Sequence, residues 1–214
     1  MSYRIKEIYF TQQGEGSNTG RDFVFVRFSG CNLWSGKEKN RKSAICQFCD
    51  TDFYGTDGIN GGVYSAKQLI EKIKSLWVSR DDNIAVVLTG GEPLLQVNDE
   101  LVAALKQEQI YIAVETNGTL DAPDHIDWIC MSPKANTEIK LKKGNEIKVI
   151  FPQESLDPEK FSLYINKAIL AVGDSLLHEW GDYHLSLRHR LACLMERSKD
   201  EALKHFYLEA VKAK

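Results

Sequence analysis

The chain has 214 residues, 43% hydrophobic and 27% charged, with a formal net charge of −3. That length suffices for one sizeable core, and the near-neutral charge excludes strong attraction to nucleic acid or to an anionic membrane surface. No apolar run reaches the length of a membrane span, and the opening MSYRIKEIYF lacks the charged and apolar regions of a signal peptide, so a cytoplasmic location is expected.

In chain order, residues 22–29 (DFVFVRFS) alternate and are rich in Val and Phe, which predicts a strand. Cys31 stands just past its C-terminal end; a polar stretch over 35–43 follows, then Cys46 and Cys49. Residues 55–62 are glycine-rich and read as loop. From Ser65, a suitable N-cap, Leu69, Ile70, Ile73, Leu76 and Trp77 fall on one face of a helix. Residues 84–88 form a short apolar run suited to a buried parallel strand, and Thr89-Gly90-Gly91-Glu92-Pro93 follows it. A second helix is expected over 98–107. Further strands are expected over 110–114, ending in Glu115-Thr116-Asn117-Gly118, over Trp128–Met131, ending in Ser132-Pro133-Lys134, and over 146–151. This alternation implies an α/β fold with a parallel sheet. Its polar motifs sit at strand C-terminal ends, where such folds place their active sites. From about Phe161 the pattern turns helical, through Leu187, Leu191 and Leu194, then Ala202, Phe206 and Ala210.

The five cysteines are an odd number. In a reducing compartment clustered cysteines bind metal or do redox chemistry more often than they form disulfides. Cys130 and Cys193 stand alone in apolar stretches and read as small buried hydrophobes. Cys31, Cys46 and Cys49 form a C-x14-C-x2-C pattern of three soft donors suited to iron and sulfide. On a four-iron cluster, three cysteines leave one iron open to a small molecule. Zinc is the alternative, but it wants a fourth ligand, and the nearest histidine, His125, is far along the chain. In Thr89–Pro93, two glycines permit close approach of backbone to a ligand, and Glu92 offers a carboxylate to a cation.

The cysteine pattern, with Phe48 just before the last cysteine, resembles that of radical S-adenosylmethionine (SAM) enzymes, which usually carry C-x3-C-x2-C. Here an insertion within 32–45 widens the first gap, which chain entropy tolerates because closure cost grows only logarithmically with length. Gln12-Gln13-Gly14-Glu15-Gly16, Arg27, Cys49-Asp50-Thr51, TGGEP, ETNG and SPK follow in order. Together they resemble the 7-carboxy-7-deazaguanine synthase family over roughly the first 150 residues, and the widened gap occurs in some of its members.

The resemblance implies a partial, incomplete TIM-like barrel of parallel strands with flanking helices, built as a single domain over 1–214. In it, 1–160 match the family and 161–214 form a divergent helical part. It implies conversion of 6-carboxy-5,6,7,8-tetrahydropterin to 7-carboxy-7-deazaguanine with loss of ammonia. SAM chelates the open iron of a [4Fe–4S] cluster, one electron splits its sulfur–carbon bond, and the 5′-deoxyadenosyl radical takes a hydrogen from the pterin. Cys31, Cys46 and Cys49 are the implied cluster ligands. Phe48, Cys49, Asp50, Gly91, Glu92, Ser132, Pro133 and Lys134 are implied for SAM, with Glu92 on its amino group, and Thr51 for Mg2+. Gln12, Gln13, Gly14, Glu15, Arg27 and Thr89 are implied for the pterin, with Arg27 on its carboxylate. Read without the family, Arg27 faces solvent between Val26 and Phe28, Thr51 caps a turn and Lys134 is a surface charge. The implied partners are the pterin, a reductant such as a flavodoxin, and a second copy in a homodimer.

The family's later Leu-Gln-Pro segment and closing Gln-Thr-His-Lys stretch are missing here. HLSLRHR at 184–190 is the nearest counterpart of the closing strand and would turn His189 toward the substrate; a basic surface patch is the simpler reading. The altered tail leaves two other functions open: another radical enzyme on the same scaffold, and a cluster- or zinc-holding protein without turnover.

Overall fold

Period-two alternation gives the strands Asp22–Phe28, Ala85–Gly90 and Tyr111–Thr116 two apolar faces, and the sheet buries both. The computed structural model describes residues 1–150, Gln153 and Leu156; the expected helical tail, Cys193 and His189 lie outside the described residues. In chain order come β1 (Ser2–Gln12), β2 (Asp22–Phe28), β3 (Gly62–Ser65), α1 (Ala66–Leu76), β4 (Ala85–Gly90), α2 (Asp99–Gln107), β5 (Tyr111–Thr116), β6 (Trp128–Met131) and β7 (Glu146–Ile147). The seven strands form one sheet in the order β3-β1-β2-β4-β5-β6-β7. The run from β2 through β4, β5 and β6 to β7 is parallel. Among the described residues β3 and β7 are the two edges and the sheet is open, as an incomplete barrel is.

The sheet is not wholly parallel. β1 runs antiparallel to both β2 and β3, and neither β1 nor β3 stands out in the sequence. β1 carries a bulge between Ile5 and Glu7. The extra residue breaks strict alternation, so that Ile5 and Ile8 face the same core. The strand expected over 146–151 is also shorter. Regular pairing ends at Ile147, and beyond it Lys148 N–H donates to Met131 C=O at 2.8 Å.

One face of the sheet packs against the two helices. Val24, Val26 and Phe28, Val86 and Leu88, and Ile112 and Val114 meet Leu69, Ile70 and Ile73 of α1 and Leu101, Val102 and Leu105 of α2 in a single core. Each such side chain contributes about 1.5–3 kcal/mol when fully buried. Both helices begin where the sequence places them. Ser65 and Gln68 form a reciprocal capping box at α1, and Asn98 Oδ1 accepts from Leu101 N–H at 3.0 Å at α2. The opposite face carries the alternate residues Phe23, Phe25, Ala85, Val87 and Ala113. Among the described residues no helix is long and apolar enough to cross a membrane.

Candidate active site

The apolar rows of that opposite face turn polar at the strand C-terminal ends. Two residues past Phe25 stands Arg27, past Val87 Thr89, past Ala113 Glu115, and past Trp128 Cys130. Sheet register sets Arg27 beside Thr89 and Glu115 beside Cys130. These four, with Lys148 and Glu15, line a cavity of 710 Å³, a size typical of small-molecule sites.

The floor of the cavity is a charged network. Arg27 does not face solvent: its Nε donates to Glu7 Oε1 at 2.7 Å and its Nη2 to the Tyr9 hydroxyl at 3.3 Å. Glu115 Oε1 accepts from Gln13 Nε2 at 3.0 Å and from Lys148 Nζ at 2.9 Å, and its Oε2 accepts from Thr89 Oγ1 at 3.1 Å. Lys148 Nζ also lies 3.2 Å from Glu15 Oε2. Burial alone would raise the Glu115 pKa, but Lys148 and the hydrogen bonds hold it below the usual carboxylate range. Burial would likewise depress Lys148, and the charge of Glu115 reverses that. Both groups therefore stay ionised at neutral pH. Cys130 is buried as expected, but its surroundings are not apolar. Burial pushes its thiol pKa well up, and its electrostatic neighbours are Lys148, Glu146 and Glu115.

The three cysteines also line this cavity. The TGGEP turn builds their support. Gly91 N–H donates to Phe28 C=O at 3.3 Å and Glu92 N–H to Gly30 C=O at 2.9 Å. The approach is so close that a Cβ on Gly91 would fall 2.8 Å from Cys31 Cβ, which is why glycine stands there. Asn32, next to Cys31, is clasped by ETNG and the residue after it: Asn117 Nδ2 donates to Asn32 Oδ1 at 3.0 Å, and Asn32 Nδ2 donates to Thr119 Oγ1 at 2.7 Å. The Cys46 and Cys49 thiols act on each other, which pulls the Cys49 pKa down and pushes that of Cys46 up. Burial raises the Cys31 thiol pKa. Lys134 lies nearby, its Nζ donating to Ser132 C=O and Oγ at 2.7 Å each. Burial lowers its pKa, and the three cysteines oppose that.

Of the other sequence-predicted residues, Phe48, Asp50, Thr51, Gly91 and Ser132 line this cavity. Gln13 lines a smaller pocket beside it, while Gln12, Gly14 and Pro133 line neither. Glu92 is fully buried and does not line the cavity. Its Oε1 accepts from Leu94 N–H at 2.9 Å and Thr116 Oγ1 at 2.8 Å, and its Oε2 accepts from Asn117 N–H at 2.7 Å. Burial raises its pKa, and those three donors partly offset the rise. The structure adds Glu115, Lys148, Trp34 and Asn117 to the cavity wall. Glu115 and Lys148 carry a sequence signal, since each continues the period-two row of its own strand.

The donor set fits iron and sulfide better than zinc. His125 does not line the cavity, and among the described residues no three His, Cys, Asp or Glu side chains converge as the ligands of a single ion do. Three soft thiols lining one cavity, with the half-buried Lys134 cation beside them, suit an anionic iron–sulfide cluster.

A model of the radical SAM superfamily matches residues 40–167, beginning inside the widened cysteine gap. Curated proteins named 7-carboxy-7-deazaguanine synthase are close relatives. That of Bradyrhizobium diazoefficiens is 56% identical over 162 residues, covering 75% of this chain and 77% of its own. That of Burkholderia multivorans is 53% identical over 156 residues, covering 72% and 74%. The chain belongs to the 7-carboxy-7-deazaguanine synthase family. The fold is similar to that in a crystal structure of QueE from Escherichia coli, 27% identical, with a TM-score of 0.53 over 70% of each chain. As a radical SAM family member the chain uses a [4Fe–4S] cluster and SAM as cofactors.

Proposed function

We infer that the chain is a carbon–nitrogen lyase that converts 6-carboxy-5,6,7,8-tetrahydropterin to 7-carboxy-7-deazaguanine, releasing ammonia, on the route to queuosine and related 7-deazapurines. The observation that carries this reading is that one cavity is lined both by the three cysteines and by the charged set Arg27, Glu15, Glu115 and Lys148. When bound, the cluster and SAM supply the one-electron cleavage that opens radical chemistry on the substrate.

Cys31, Cys46 and Cys49 hold the cluster, and Lys134 balances part of its charge. Phe48, Asp50, Gly91, Ser132, Pro133 and Lys134 form the SAM side, where Glu92 shapes the turn behind Cys31 from its buried position. On the substrate side, Arg27 Nη1 has no partner among the described residues and is offered to the pterin carboxylate. Thr89, Glu115 and Lys148 order the ring, and Gln13 fixes Glu115 from behind. Glu15 closes that side, with Gln12 and Gly14 in the segment that carries it. Thr51 on the rim supplies a hydroxyl to a Mg2+ ion whose remaining ligands are substrate oxygens and water. An apolar wall of Leu33, Trp34 and Phe53 limits water, which protects a reactive intermediate. The chain works as a single domain over 1–214 and as a homodimer in the cytoplasm, reduced by a flavodoxin-like donor.

Anaerobically reconstituted protein given a reductant, SAM, Mg2+ and the pterin is expected to release ammonia and a deazapurine. Absence of both products from fully loaded protein would reject the reading.

A further inference from the structure

Widening the gap between the first two cysteines removes a constraint that a three-residue spacer supplies by its shortness, so something must fix the second pair of ligands. Backbone pairing does so only at its edges. Cys46 N–H donates to Leu33 C=O at 3.3 Å, and Gly30 N–H to Phe53 C=O at 3.2 Å. Between them, among the described residues, no backbone group of 47–52 pairs with another backbone group. The turn that carries Cys49 is held by side chains.

One side chain bridges it. Arg41, in the 3-10 turn Glu38–Ser43 of the insertion, sends Nη1 to Gln47 C=O and Cys49 C=O, at 2.9 Å each. Its Nε donates to both oxygens of Glu38 at 2.9 and 2.8 Å. Its guanidinium carbon lies 4.1 Å from the centre of the Trp34 ring, and Trp34 is set edge-on against Phe53 at 5.5 Å. One planar cation thus joins the segment after Cys31, the insertion and the Cys46–Cys49 turn. Its donors are charge-assisted, and one flat group makes the carbonyl, carboxylate and ring contacts together, which a single ammonium cannot do.

We propose that Arg41 is a positioning residue for the cluster: braced by Glu38 and Trp34, it grips the carbonyls of Gln47 and Cys49 and so fixes the spacing of the second cysteine pair. This deepens the proposed function and rests on Cys31, Cys46 and Cys49 being the cluster ligands. The insertion is then a working part of the site, since it brings the clamp that its own length makes necessary. A fixed cation beside Cys49 also favours the reduced, more negative state of the cluster, because net charge and hydrogen bonding near the sulfurs set such potentials.

The test uses the full chain, reconstituted anaerobically, as wild type, Arg41→Gln, Arg41→Lys and Glu38→Gln. Iron release to a ferrous chelator is followed by absorbance, the cluster potential is followed by an EPR-monitored redox titration, and circular dichroism of the apo forms checks the fold. Release is expected to be roughly 10- to 100-fold faster in Arg41→Gln, the range for lost support around metal ligands. Arg41→Lys is expected to fall between Arg41→Gln and wild type, because an ammonium can donate to two carbonyls but cannot at the same time pair with Glu38 through a second nitrogen and lie flat on the Trp34 ring, and Glu38→Gln is expected to show a smaller rise. The potential is expected to fall in Arg41→Gln and to stay near wild type in Arg41→Lys, which keeps the charge. A folded variant that loads no cluster is the extreme form of the expected result. Wild-type release rates in both Arg41 variants would overturn the clamp alone. A wild-type chain that takes up no iron would overturn the ligand assignment and the clamp with it.

Discussion

Gly91→Ala probes how tightly the TGGEP turn and the cysteine loop are built together. The added Cβ would lie 2.2 Å from Gly30 O, 2.7 Å from Gly30 C and 2.8 Å from Cys31 Cβ. Relieving those contacts requires the Gly30–Cys31 backbone and the turn to separate by about 1 Å, since carbon atoms rest near 3.5 Å from their neighbours. That separation works against the bond from Glu92 N–H to Gly30 C=O, 2.9 Å long. Overpacking of this kind costs about 1–3 kcal/mol, whereas a 1 Å displacement at a reacting centre costs roughly 100-fold in rate. The variant is therefore expected to lose far more SAM cleavage than stability. The assay pairs thermal melting of the apo protein with the rate of 5′-deoxyadenosine formation by reconstituted enzyme. Gly144→Ala is the control, because its new Cβ would meet nothing closer than Ile129 O at 3.5 Å. Wild-type cleavage by a fully loaded Gly91→Ala enzyme would refute the claim that this contact sets the position of Cys31.

Two further outcomes follow from the charged contacts around the cavity. Glu115→Gln leaves Lys148 facing Glu15, and the expected loss at neutral pH is about 2 kcal/mol, below that of a fully buried pair because the Glu115 side chain is 27% exposed. Since the folded-state pKa of Glu115 is lowered, its contribution is complete above the ordinary carboxylate value of about 4.3 and disappears as pH falls through the folded value. The melting gap between wild type and Glu115→Gln is thus expected to close on acidification below that point, and a constant gap would contradict the assignment. Lys6 Nζ donates to Tyr54 C=O at 3.0 Å and Asp57 Oδ1 at 2.8 Å, and it lies 2.8 Å from Asp52 Oδ2, tying the segment after Thr51 to β1. In Lys6→Met, hydrogen exchange is expected to quicken at Gly58, whose N–H donates to Lys6 C=O at 3.0 Å, and to stay unchanged in α2; unchanged protection at Gly58 would exclude that tie.

The parallel half of the sheet was legible because its strands are short apolar runs closed by turn residues, and both helices because Ser65 and Asn98 are good caps. β1 was not legible, since its bulge shifts Ile5 and Ile8 out of simple alternation. β7 was read too long, because Val149 and Ile150 look strand-forming while nothing in sequence shows where pairing with β6 stops. The spacing of Cys31, Cys46 and Cys49 singles them out in the sequence, and the structure brings all three to one cavity. The orientation of Arg27 could not be read there: a period-two row says which face a residue shares, but not whether that face is covered, and Val26 and Phe28 turned out to point at the helices. Glu92 shows the same limit from the other side. Its motif marks the turn, but its burial is fixed by Thr116 and Asn117, which come from the neighbouring strand end.

The central claim is that the trio of thiols leaves one iron of a four-iron cluster for SAM to chelate. Electron–nuclear double resonance on the reduced, reconstituted protein with SAM labelled at its amino nitrogen and carboxylate oxygen measures that directly. Coupling from both labels to the cluster is the expected result. A fully loaded cluster that couples to neither label, or a protein that binds only zinc at these cysteines, would contradict it.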